Sequence, residues 1–133
     1  MNVHTTEIIV RGFHIDVFGH TNHARYLEFM ESARWDALMP VISSGFFATR
    51  NLGFVIVNVN INYRAASFIN DTLVVKTALK SMGGKSIIVH QQIYDKSKEH
   101  AVCDADVTFV LMDLKTRKAV PLTDELKSVF DNM

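Results

Sequence analysis

HARYLEFMESARWDALM, residues 23–39, decides the fold, because its apolar residues recur with the period of a helix and not of a strand. Tyr26, Phe29, Met30, Ala33 and Ala37 stand at i, i+3, i+4 spacing on one face, while Arg25, Glu28, Ser32 and Asp36 share a polar one. Leu27, Trp35 and Leu38 widen the apolar surface beyond a narrow stripe, so the helix is expected to be covered on more than one side. Asn22 stands where a cap belongs, since its side-chain oxygen can accept from N–H groups of the first turn. Pro40 and the Gly45 segment predict the end of the helix, with a short helical piece around Phe46 to Asn51.

On either side of this helix the texture is that of strands. Thr5 to Arg11 predict a first strand ended by Gly12. After Gly53 the period changes to two: Val55, Val57, Val59, Ile61 and Tyr63 alternate with Phe54, Ile56, Asn58, Asn60 and Asn62. A strand from Leu73 to Lys80, the turn signal Gly83-Gly84, and the strand SIIVHQQIY follow. Asp95 to Glu99 form a polar turn, and AVCDADVTFVLMD is another long strand with Ala101, Cys103, Ala105, Val107, Phe109 and Leu111 on one face. Thr123 can cap a short final helix, TDELKSVF. One helix cannot cover both faces of such a sheet, and short turns join its strands. The expectation is therefore an α+β single domain over residues 1–133, an antiparallel sheet wrapped around one long helix, with open edges that favour self-association.

Composition narrows the function classes. Fourteen basic and fourteen acidic residues cancel, and no basic block is present, which argues against nucleic acid as partner. The chain has one cysteine, Cys103, so no intrachain disulfide forms, which suits a reducing compartment and the cytoplasm. The opening residues MNVHTTEIIV lack a signal-peptide pattern, and no apolar run approaches the roughly 18 residues of a membrane span.

Candidate chemistry gathers ahead of the helix, in HIDVFGHTNHARYLEF, residues 14–29. His14, Asp16, His20 and His23 are possible metal ligands, yet their spacing fits no common zinc pattern. No G-x-S-x-G elbow supports a serine nucleophile at Ser43, Ser44, Ser67, Ser81 or Ser86. Cys103 lies mid-strand, where a buried thiol is inert. Asp16 stands about six residues before the helix, followed by Phe18-Gly19, which permits close backbone approach. One reading makes it the acceptor of an Asx-turn. The other pairs it with the helix N-terminus: unpaired N–H groups there would stabilise an oxyanion while Asp16 acts as general base or nucleophile.

HIDVFGHTNHARYLEFMESARWDAL resembles the signature D-x-x-G-H-x-N-x-x-x-Y-L-x-x-x-E-x-A-R of hotdog-fold acyl-CoA thioesterases, the 4-hydroxybenzoyl-CoA thioesterase family. FVIVNVNINYRAA, GGKSIIVHQQIY and ADVTFVLMDLKTRKAVPL resemble matching strands in its bacterial long-chain branch, so the likeness runs from about Val10 to Leu122. The resemblance implies a hotdog fold and hydrolysis of a medium- to long-chain acyl-CoA with no metal or cofactor. It implies a catalytic Asp16, an oxyanion donor at the backbone of His23, and a homodimer or homotetramer with CoA along the subunit interface. Gly19 and His20 would shape the loop; Asn58, Tyr63 and Arg64 would line the groove; Gly84, Lys85 and Ser86 would meet pantetheine or phosphate. A second branch carries a catalytic histidine at the position of His23, but its assisting tyrosine falls on Gly12 here. Glu28 and Glu31 are read as solvated or ion-paired. The alternatives are a non-catalytic module binding acyl-CoA or an acyl-carrier protein, and a hotdog dehydratase, whose histidine pattern this chain does not match.

Overall fold

Residues 2–133 are described, in a computed structural model. Strand β1 (His4–Ile9) leads through a 3₁₀ turn at Gly12–His14 and the Asp16 loop into helix α1 (His23–Ser43) and a single turn, α2 (Phe46–Thr49). Then come β2 (Leu52–Tyr63), β3 (Thr72–Met82), β4 (Ser86–Asp95), β5 (Ala101–Asp113), the two-residue β6 (Lys118–Ala119) and α3 (Asp124–Asp131). The strands form one antiparallel sheet in the order β1-β3-β4-β5-β2, with β6 added beside β5. This is the α+β arrangement of one long helix and an antiparallel sheet expected from the periodicity, and it agrees with the hotdog fold that the resemblance implies.

Helix α1 buries the face its spacing predicts: Tyr26, Phe29, Met30, Ala33 and Ala37, joined by Leu38, are all buried. They meet the inward side chains of the sheet, among them Leu73, Val75, Val89, Ile93, Ala105 and Val107. Phe130 of α3, fully buried, closes one end of this core against Phe47, Phe54 and Phe109, at ring separations of 5.9–6.5 Å. Fully burying one such side chain contributes on the order of 2–3 kcal/mol, so the core is dominated by a few large residues. Asn22 caps α1 by accepting the Ala24 N–H at 3.0 Å, and Thr123 caps α3 by accepting the Leu126 N–H at 3.3 Å.

Three expectations need correction. The helix does not stop before Pro40 but runs through it to Ser43. Val41 and Ile42 pack against the core, so tertiary burial offsets the lost N–H of the proline. The second concerns β2, whose single alternation breaks at a bulge between Ile56 and Asn58. The extra residue switches the phase. Phe54 and Ile56 therefore turn inward beside Leu111 and Phe109, and past the bulge Val59, Ile61 and Tyr63 take over that face. The third is coverage of α1: Leu27 and Trp35 stay 40% and 45% exposed in this chain, so the helix is covered by its own chain on one side only. The helix packs nearest to β1 and β3. At the opposite edge, β2 is left with inward residues uncovered: Ile56 is 42%, Val59 37% and Tyr63 45% exposed.

Candidate active site

The Asp16 loop is a narrow hairpin whose shape comes from the aspartate itself. Ile15 and Thr21 form a bridge, and the Asp16 N–H donates to His20 O at 2.9 Å. The Gly19 N–H donates to Asp16 O at 3.1 Å, and Gly19 adopts φ +83°, a left-handed backbone that L side chains rarely take. Asp16 Oδ1 accepts from the Phe18 N–H at 2.9 Å and, more weakly, from the His20 N–H at 3.4 Å. This is the Asx-turn reading. It does not exhaust the residue, because Oδ2 has no partner among the described residues. The tip carries Val17 and Phe18, 94% and 81% exposed.

A buried hydroxyl cluster holds this loop against the rest of the chain. Ser67, between β2 and β3, is fully buried. Its hydroxyl lies 2.6 Å from Thr21 Oγ1 and 2.7 Å from Tyr26 Oη, and its carbonyl accepts the Thr21 N–H at 2.9 Å. Buried hydroxyls are costly without partners, so each of these three residues fixes the other two. Tyr26 stands on the first turn of α1, and the cluster thereby ties loop, connector and helix start together. The Asn22 N–H donates to His14 O at 2.8 Å, completing the entry into the helix.

The first turn of α1 presents the positive end of the peptide dipoles. Asn22 Oδ1 occupies the Ala24 N–H and Asn22 O the Arg25 N–H, while the His23 N–H has no partner among the described residues. Tyr63 reaches over this turn, its hydroxyl donating to His23 O at 3.1 Å, with the two rings edge to face at 6.0 Å. Asp16, Gly19, His20, His23 and Tyr63 are thus brought to one end of the molecule by the loop, the helix start and the end of β2. A carboxylate oxygen and a free amide at a helix N-terminus suit attack on a carbonyl whose oxygen becomes negative.

The remaining sequence-predicted residues lie elsewhere. Asn58 pairs with Thr108 on the face of the sheet turned away from α1, together with Asn60 and Asn62. Arg64 stands just past β2, ion-paired with Asp104, an interaction that also holds the Asp104 carboxyl below its usual range. Gly84 and Lys85 lie in the β3–β4 turn, and Ser86 opens β4. Ser86 is level with Val110, whereas Tyr63 is level with Cys103. Seven residues of β5 separate those levels, about 23 Å at strand rise, so within one chain this turn cannot reach the Asp16 loop.

The other residues singled out have structural roles. His14 ends the 3₁₀ turn; its Nδ1 accepts the Arg11 N–H at 2.9 Å and its ring packs edge-on to Phe29, with burial lowering its basicity. Glu28 pairs with Arg25 at 2.6 Å, and Glu31 accepts from the Trp35 indole at 3.3 Å. Cys103 is fully buried, which pushes its thiol up to about 12. Sequence reasoning missed Ser67 by testing it only as a nucleophile. The available signal was Tyr26, a phenol on the core face that must find a partner. It also missed Gln91, fully buried, which donates to Met30 O and Thr77 Oγ1 at 2.9 Å each and accepts from Arg34 at 3.0 Å.

Residues 10–130 match the thioesterase-like superfamily. The chain is 45% identical over 128 residues to the long-chain acyl-CoA thioesterase FadM of Escherichia coli, covering 96% of this chain and 97% of that protein. It is 28% identical over 120 residues to the acyl-CoA thioesterase YbgC of Haemophilus influenzae, covering 89% and 87%. The crystal structure of YbaW, a probable thioesterase from Escherichia coli, superposes with TM-score 0.91 at 45% identity, covering 98% of both chains.

Proposed function

The chain belongs to the thioesterase-like superfamily, and from that premise we propose that Asp16 and the His23 backbone amide form the reaction centre of its thioester hydrolysis. The protein is an acyl-CoA thioesterase, in keeping with its relatives of that activity. Water adds to the thioester carbonyl, the C–S bond breaks, and a free acid and the CoA thiol leave. The carbonyl oxygen lies against the His23 N–H, where the helix end stabilises its developing charge. Asp16 supplies the attack, either taking the proton of water or adding to the carbonyl itself, and oxygen from labelled water entering its carboxylate in a single turnover marks the second route. The observation that carries this reading is the division of labour in Asp16: Oδ1 holds the loop and Oδ2 is unspent. The reaction needs water, a carboxylate and an amide, and no metal or cofactor enters it.

The substrate is a medium- to long-chain acyl-CoA, a reading supported by the identity to a long-chain thioesterase and by the uncovered apolar side of β2. A homodimer or homotetramer is supported by the free edge of β2 and by exposed Leu27, Trp35 and Met39 on α1. A second copy would also bring a Gly84–Ser86 segment to the site, since the chain's own lies too far away. No helix of the described residues is long and apolar enough to cross a membrane. The single cysteine favours the cytoplasm.

The test is thiol release from a panel of acyl-CoAs by wild type and Asp16→Asn. Asparagine keeps Oδ1 for the turn, so the variant should melt as wild type does while kcat/KM falls on the order of 10²-fold or more. Wild-type turnover by the variant refutes the assignment; tight binding without turnover by the wild type would instead make the protein a binding module.

A further inference from the structure

We infer that the acyl tail ends in a cavity between α1, α2 and β2, and that Gly53 and Leu114 set the length of chain this enzyme accepts. The inference rests on the thioesterase reading above and adds a determinant of specificity to it.

The cavity is about 440 Å³ and mainly apolar, lined by Trp35, Leu38, Ile42, Phe47, Phe54 and Phe109, with Glu31 and Arg34 as its charged lining. The reaction centre lies at the other end of α1. From His23 to Trp35 the helix rises about 18 Å, and to Leu38 about 22 Å, distances that a long alkyl chain spans and a short one does not. Between the two lie the partly exposed inward residues of β2. Tyr63, bonded to His23 O, is followed inward along β2 by Val59 and Ile56, and Ile56 is itself a wall of the cavity. These inward residues are 37–45% exposed because α1 packs nearest to β1 and β3, at the other edge of the same face. The bulge at Val57 keeps this row apolar: without that phase switch, Asn58 or Asn60 would point into it.

At the far end, Leu114 lies across Gly53. A Cβ built on Gly53 would stand 2.8 Å from Leu114 Cδ2 and 3.6 Å from Cγ. Both residues line the cavity, and the missing side chain at Gly53 is what lets Leu114 settle onto the strand. Gly53 has no left-handed backbone, and the atom a side chain would meet is the end of the flexible, half-exposed Leu114, so a larger residue fits by displacing Leu114 and filling the cavity's end. Gly53→Val therefore shortens the cavity, and Leu114→Ala lengthens it.

The experiment measures kcat/KM for saturated acyl-CoAs from six to eighteen carbons, with displacement of a fluorescent polyene fatty acid by free fatty acids as a readout independent of turnover. Gly53→Val should lower the ratio of long- to short-chain kcat/KM by roughly tenfold or more, the range that a few methylenes are worth in an apolar pocket. Leu114→Ala should move the optimum to longer chains, and fatty-acid binding should shift in the same order. A uniform change across all lengths, or no change in the ratio, overturns the inference while leaving the thioesterase reading intact. Absence of wild-type turnover overturns that reading, and the fatty-acid displacement series then still decides whether the cavity holds the tail. Thermal melting of each variant separates a changed cavity from a damaged fold.

Discussion

Replacing Ser67 by alanine tests whether buried hydroxyls fix the catalytic loop. The Ser67 hydroxyl has two partners, Thr21 Oγ1 at 2.6 Å and Tyr26 Oη at 2.7 Å. Thr21 keeps a bond in the variant, because its hydroxyl also donates to Ser67 O at 3.2 Å. Tyr26, 4% exposed, loses the 2.7 Å partner of its phenol and is left with Thr21 and the Ser67 backbone as polar neighbours. Under-satisfying a buried hydroxyl costs about 1–3 kcal/mol, so with two bonds of Ser67 removed the expected loss is about 2–3 kcal/mol. In a chain of this size that lowers Tm by roughly 5–12 °C. Tyr26→Phe in the same background removes that hydroxyl, and the double variant should recover about 1 kcal/mol relative to Ser67→Ala. Urea unfolding of the wild type, Ser67→Ala, Tyr26→Phe and the double variant gives the cycle, and kcat/KM should fall along with stability in Ser67→Ala as the Asp16 loop loosens. A loss below about 0.5 kcal/mol, or a double variant weaker than the single, refutes the idea that this cluster is a satisfied buried network.

Three further outcomes follow from named contacts. Hydrogen bonds from Arg64 hold Asp104, and those from Lys80 and His90 hold Asp106, below the usual carboxylate value of 3.8. Groups with a depressed folded value contribute stability that is full above the unfolded value and lost as pH falls through the folded one. Tm should therefore fall below about pH 4, more shallowly in Asp104→Asn, beneath an earlier decline as pH drops through 6.5 from His14, whose basicity burial lowers; an unchanged acid slope in Asp104→Asn assigns the effect elsewhere. Cys103, with its thiol pushed up to about 12 by burial, should resist a disulfide reagent at neutral pH and react once the protein is denatured; rapid native labelling would contradict its burial. Asn22→Ala should cost about 1 kcal/mol by uncapping the Ala24 N–H, with Asn22→Asp restoring most of it in urea unfolding.

What the residues of this chain dictate by themselves is local. The 3.6-residue period placed the buried face of α1 at Tyr26, Phe29, Met30, Ala33 and Ala37, and a cap at Asn22, because both depend on neighbours within a turn or two. Alternation located the long strands for the same reason, and Asp16 with Gly19 marked the loop. The tertiary structure decided everything that depends on distant partners. Pro40 remains helical because Val41 and Ile42 have a core to enter. The bulge in β2 arises in its pairing with β5, and pairing is invisible in one strand alone. Ser67 matters only because folding brings it to Thr21 and Tyr26, more than forty positions away from either. The Gly84–Ser86 segment, grouped with Asp16 by resemblance, is separated from it by the length of β5, and strand register, which sequence spacing does not encode, sets that distance.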